Sequence, residues 1–291
     1  MSNIEKKPVY PFEKIAVAVA FSPNIEAIIA ASKRLQDIFN VSILFIHVGN
    51  HDAAQETYLK ELITRFAFEQ NNHEIIWETG DTVDKILEVC KARQVDLLVA
   101  GALEKESLLK YFLGSVARKL CRRAKCSILM LRDPDLLNKP VQRIVVEGSD
   151  HPKTVATIEA AIYVAKATHA LAVDVIQEED PGRLALIRSD AFTDNEADNN
   201  REKMLKHENE KLEEILSCTD CGNLKVNVER LEGKPGFMIT KYAREHEADL
   251  LVLNSPDTKL NVIDRVFPHD IEFALADLPC DLLIVHSRTD D

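Results

Sequence analysis

Short runs of apolar, largely β-branched residues recur near 14–20, 41–48, 74–79, 95–101 and 127–131. Between them the apolar positions repeat with a helical period, near 23–38, 53–70, 82–93 and 115–123. A second series of runs follows at 142–147, 170–176, 224–231, 249–253 and 281–286. Strands that are apolar at almost every position, alternating with amphipathic helices, predict a parallel sheet covered on both faces. Five strands in each series predict a small doubly wound α/β sheet, a fold that binds ligands beyond its strand carboxyl ends.

The two series are copies. Val95-Asp96-Leu97-Leu98-Val99 returns as Ala248-Asp249-Leu250-Leu251-Val252, and Glu13-Lys14-Ile15-Ala16-Val17 as Gln142-Arg143-Ile144-Val145-Val146. The closing strands, 126–131 and 280–285, correspond too, and Gly80 matches Gly233 ahead of an amphipathic stretch. Matching residues stand 127 apart at Ser22/Ser149 and 153 apart at Asp96/Asp249, so the second copy is longer by 26 residues. The expected organisation is two tandem five-stranded α/β domains, 1–138 and 139–291, joined near 133–139 where Pro134 and Pro140 mark a short junction. The extra length falls between Ile176 and Gly233. Its acidic part, 177–200, contains Pro181-Gly182 and reads as a surface excursion leading into a helix over 201–216.

Composition narrows the function. At 291 residues, 46% hydrophobic and 29% charged, the chain is neither disordered nor fibrous. Its longest apolar runs, 15–21 and 97–103, are seven residues each, where a bilayer span needs about 20. Lys6 and Lys7 have no apolar stretch behind them of the kind a secretory signal carries. Six cysteines without a dense framework read as reduced thiols. These features predict a cytoplasmic protein with no membrane segment. The net charge of −12 is uneven: residues 1–138 carry 18 Lys+Arg and 18 Asp+Glu, and the remainder carry 18 and 30. A negative second half repels phosphates and is a poor candidate for nucleic acid or a polyphosphate, whereas the neutral first half is permissive; no nucleic acid partner is expected.

The strongest chemical signal follows the fourth strand. Gly101 closes that strand and Gly114-Ser115 opens a basic helix containing Arg118, Lys119, Arg122 and Arg123. Free backbone N–H groups, a hydroxyl and the positive dipole end suit a phosphate; a plain helix cap uses the same residues. The basic run itself fits either a phosphate or partner contact or a solvated helix face beside the acidic second half. Cys218-Thr219-Asp220-Cys221 has no second cysteine pair, which leaves it short of a zinc site. No glycine-rich dinucleotide or P-loop motif occurs.

In these motifs the repeated unit resembles the universal stress protein family, over nearly the whole chain as a tandem pair. The resemblance implies a Rossmann-like, adenine nucleotide alpha-hydrolase-like fold and an ATP site whose phosphate pattern is Gly, two residues, Gly, nine residues, Gly, then Ser or Thr. Here the positions are Gly101, Glu104, Gly114 and Ser115, with Glu in place of the middle glycine. The implied contacts are Ala20, Phe21 and Ser22 in the loop after the first strand, Val48 at the end of the second, and Gly101, Gly114, Ser115 and Val116 at the phosphates. Ala20 stands where the family carries an Asp that holds adenosine. In the second copy Glu147 takes that acidic place, Asn254-Ser255-Pro256-Asp257 replaces the phosphate segment, and Pro268-His269 replaces Gly-Ser. Pro has no N–H and Asp257 is negative, so that site is expected to be lost.

The implied function is stress response by binding: a regulator or adaptor with no catalytic residues, no metal, and at most a weak ATP site in the first domain. It further implies an internal pseudo-dimer formed by pairing 127–131 with 281–285, an unidentified protein partner, and a possible homodimer. The rivals are a slow ATP hydrolase or nucleotide-processing enzyme using Gly114-Ser115, and a scaffold with no ligand.

Overall fold

The computed structural model describes residues 10–105, 110–112, 114–136, 139–181, 194–256 and 271–286. In the first half the elements are β1 (Lys14–Ala18), α1 (Ile25–Phe39), β2 (Ser42–Val48), α2 (Ala53–Arg65), β3 (His73–Glu78), α3 (Thr82–Ala92), β4 (Leu97–Gly101), a hairpin of β5 (Leu103–Lys105) and β6 (Lys110–Phe112), α4 (Ser115–Arg123) and β7 (Ser127–Leu131). The second half supplies β8 (Arg143–Glu147), α5 (Thr154–Thr168), β9 (Ala172–Glu179), α6 (Asp194–Cys218), β10 (Lys225–Glu232), α7 (Phe237–Glu245), β11 (Leu250–Asn254), α8 (Glu272–Ala276) and β12 (Asp281–Val285).

Ten strands form one α/β sheet in the order β10-β9-β8-β11-β12-β7-β4-β1-β2-β3. Read from either end, the order is the same path through one half and then the other. All neighbours are parallel except the central pair, where Leu282, Leu283 and Ile284 of β12 pair antiparallel with Met130, Leu129 and Ile128 of β7. The closing strands meet where their sequence places them, and strands of the two halves therefore run in opposite directions. One core layer takes in Ile15, Val17, Phe45, Leu129, Ile144, Val173 and Leu283, and the other Leu98, Leu120, Ile128, Leu251 and Ile284. Both layers cross the central pair, so the halves share their apolar interior.

The repeated aspartates hold equivalent places. Asp96 Oδ2 accepts the backbone N–H groups of Glu13 (2.8 Å) and Lys14 (2.9 Å). Asp249 Oδ2 accepts those of Gln142 (2.8 Å) and Arg143 (2.9 Å). Each carboxylate thus fixes where the first strand of its half begins. Asp52 and Asp81 cap α2 and α3 through their side chains.

Two helices differ from expectation in their bounds. Helix α2 stops at Arg65 instead of running to 70, because Ala67 turns into the left-handed region (φ 55°) and Phe68 N–H closes back on Ile63 O at 3.2 Å. Helix α6 starts at Asp194, inside the stretch read as a surface excursion; acidic residues such as Asp194 and Glu196 suit a helix N-terminus. The rest of that excursion, 182–193, lies outside the described residues. Among the described residues no helix is long and apolar enough to cross a membrane.

Candidate functional site

The loop after β1 is a tight turn in which Ser22 N–H meets Ala20 O at 2.8 Å. It carries Phe21 onto an aromatic cluster at the ends of β2 and β3. Phe21 stacks on Trp77 (5.8 Å, 18°) and meets the edge of His47 at 4.9 Å; His47 and His51 stand 4.6 and 5.3 Å from Trp77. His47 Nδ1 lies 2.9 Å from Val19 O. A carbonyl only accepts, so Nδ1 carries the hydrogen and Nε2 of the neutral ring is left as an acceptor. That nitrogen sits over Gly49, where a Cβ would come within 2.7 Å of it. Among the described residues the buried indole Nε1 of Trp77 has no hydrogen-bond partner. Beside the cluster lies an open depression of about 720 Å³ whose walls include Phe21, His47, Val48, Asn50, His51 and Gln55.

Phe21 and Val48 therefore meet at this depression, with Ala20 and Ser22 in the adjoining turn. Gly101, Gly114, Ser115 and Val116 are not among its lining residues. Gly101 faces α1 instead, since a Cβ there would lie 2.8 Å from Ile28 Cδ1. The segment between Gly101 and Gly114 contains the β5–β6 hairpin, in which Glu104 is in register with Tyr111. Strand β6 lies against α8 of the second half. The Glu104 side chain lies outside the described residues. Gly114 is the N-cap residue of α4 with no side-chain cap, and Ser115 and Val116 are exposed.

The basic run on α4 points across the halves. Arg122 Nε and a terminal guanidinium nitrogen reach Glu272 Oε1 at 3.0 and 2.6 Å, Arg118 reaches Glu272 Oε2 at 3.3 Å, and Arg118 also donates to Leu275 O at 3.2 Å. Arg123 pairs with Asp84 of α3 at 2.6 Å.

In the second half the corresponding strand ends are filled by the chain itself. Glu147 Oε2 accepts Asn254 N–H at 2.9 Å, and Thr157 Oγ1 donates to Asn254 Oδ1 at 2.5 Å. The Lys153 ammonium, buried with 7% of its residue surface exposed, donates to Ser255 O (3.0 Å) and Pro256 O (3.3 Å). A buried ammonium is tolerable only with such partners. Asp257, Pro268 and His269 lie outside the described residues. Cys218 and Cys221 are free thiols, and burial pushes the Cys221 thiol up. Among the described residues no group of three or more His, Cys, Asp or Glu could hold a metal.

Residues 47–132, from the end of β2 to just past β7, match the family model described as the universal stress protein family. Over that segment the chain is similar to universal stress proteins. No curated protein matches the sequence. Solved structures share the fold along nearly its whole length. A protein of unknown function from Pseudomonas aeruginosa PAO1 is 14% identical with TM-score 0.70, covering 95% of this chain and 93% of that one. A putative universal stress protein from Pseudomonas aeruginosa UCBPP-PA14 is 14% identical with TM-score 0.71, covering 95% and 94%. A universal stress protein from Archaeoglobus fulgidus DSM 4304 is 15% identical with TM-score 0.63, covering 96% and 97%.

The aromatic cluster was the part of the site that motif reading missed. Trp77 is the only tryptophan of the chain and stands at the end of a strand that faces the first-strand loop, a placement that only the fold reveals.

Proposed function

We propose that this chain is a stress-response regulator or adaptor of the cytoplasm that acts by binding, with its adenine-nucleotide site, a weak one, confined to the first half. The observation that carries the reading is Lys153. Its buried ammonium takes the carbonyls of Ser255 and Pro256 where the second half would begin a phosphate loop, so that half serves as a closed partner for the first. Domains 1–138 and 139–291 act as one body through the β7–β12 pair, and an unidentified protein reads the state of the first half.

Calorimetry on the full chain with ATP and AMP tests this. Single-site binding weaker than about 10 μM, abolished by changes at Phe21 and unaffected by Lys153→Met, supports the reading; binding that tracks the second half rejects it. The rival, slow ATP hydrolysis at Gly114-Ser115, is favoured by the uncapped, exposed start of α4. Phosphate release that disappears in Ser115→Ala would select it.

A further inference from the structure

The depression beside Trp77 and the start of α4 have opposite chemical characters, and the contrast specifies a ligand more narrowly than an adenine nucleotide. We infer that the first half takes an uncharged purine, as base or nucleoside, in preference to its phosphates. The inference rests on the adenine-site reading above and sharpens it.

The depression offers a ring face and mixed hydrogen-bonding edges. Phe21, His47 and His51 are aromatic walls. Asn50 and Gln55 each present a carboxamide that both donates and accepts, the pattern that a purine edge matches. Stacking of a base on such rings contributes about 1–3 kcal/mol and needs no charge. The indole N–H of Trp77, buried and unmatched within the cluster, is a further donor that a rearranged occupied state can satisfy.

Among the described residues no lysine or arginine lines the depression. The carboxylate in its wall, Asp52, is held in place by capping Ala54 N–H at 2.8 Å and repels an anion. Three of the four cations on α4 are engaged elsewhere: Arg118 and Arg122 hold Glu272, and Arg123 holds Asp84, while Lys119 is exposed. At Gly101, where a backbone would approach phosphate, the Ile28 side chain is packed. The loop that would wrap the anion is drawn into a hairpin instead.

The sole tryptophan makes the test direct, because intrinsic indole emission reports on this cluster alone. The full chain is titrated with adenosine, AMP and ATP, following Trp77 emission and heat in parallel. Adenosine is expected to quench Trp77 and to bind at least ten-fold more tightly than ATP at low salt. Phe21→Leu and, independently, the surface change Gln55→Ala are each expected to weaken adenosine at least five-fold, with circular dichroism unchanged for Gln55→Ala. ATP binding as tightly as adenosine or more tightly overturns the inference while leaving the adenine-site reading standing. Failure of all three compounds to bind by either readout overturns both. Adenosine binding that neither perturbs Trp77 nor responds to Gln55→Ala places the ligand elsewhere and also overturns the inference.

Discussion

Asp281 accepts the backbone N–H of Arg132 across the central strand pair at 2.8 Å, and at the other end of that pair Ser127 accepts the N–H of His286 at 3.2 Å. Ser127 and Asp281 are equivalent residues of the two copies, so one contact is made twice with different chemistry. The hydroxyl serves at no electrostatic cost, whereas the carboxyl is partly buried.

Burial pushes the Asp281 carboxyl up to about 6, above its ordinary 3.8, against the pull of Arg132. The folded state therefore favours the protonated acid. Its contribution is complete below about pH 3.8 and is lost as pH rises through about 6. Stability should rise by about 1–2 kcal/mol between pH 7.5 and pH 5. Asp281→Asn, which keeps an acceptor for Arg132 N–H, should remove that slope and be the more stable form at pH 7.5. Urea melts of both proteins at several pH values check this; parallel pH profiles would contradict it.

Leu283 lies opposite Leu129 in the central pair and is 2% exposed. Leu283→Lys buries a charge without a partner and should cost several kcal/mol, on the order of 3 or more. Because both core layers cross this pair, the two halves should lose structure together. A single thermal transition shifted down, by circular dichroism and by Trp77 emission alike, is expected. An unchanged melt would mean that the strands do not meet.

Removing the Lys153 ammonium tests the closed second half. Lys153→Met keeps the chain length and leaves the Ser255 and Pro256 carbonyls without their donor. The expected cost is about 2 kcal/mol, with faster hydrogen exchange confined to β11 and the residues after it. Uniform exchange across the protein would show that the contact is not local in effect.

Glu272 is the point where the halves exchange charge. Its pairs are partly exposed, so Glu272→Ala should change stability by less than about 1 kcal/mol. Releasing Arg118 and Arg122 should nevertheless strengthen ATP binding several-fold at low ionic strength, an effect that fades as salt screens it. Calorimetry at two salt concentrations decides, and equal ATP affinity with and without Glu272 would contradict it.

Much of the architecture was legible because the chain repeats itself. The paired strings around Asp96 and Asp249 located two equivalent strands, and the closing strands of the two copies were located in the same way, whereas the order of strands in the sheet came only with the fold. What the aspartates do was not legible, since their partners Glu13, Lys14, Gln142 and Arg143 lie far away in sequence and offer only backbone N–H groups. The site was half legible. Phe21 and Val48, two of the contacts that the family resemblance implied, line a common depression, yet Trp77, His51 and Lys153 belong to no motif. Each acts through a contact that exists only after folding, and Lys153 in particular is a single basic residue in a polar stretch. The hairpin between Gly101 and Gly114 was hidden for a different reason: the segment looks like a loop of ordinary length, and β6 rests on a helix more than 150 residues further along the chain.

Because β7 and β12 run antiparallel, the strand carboxyl ends of the two halves open on opposite rims of the sheet. A small molecule seated beside Trp77 and a protein resting on the self-filled rim around Asn254 would never contend for the same space. The two rims thus differ in kind: one carries an open depression beside Trp77, and the other is closed by the chain's own side chains around Asn254.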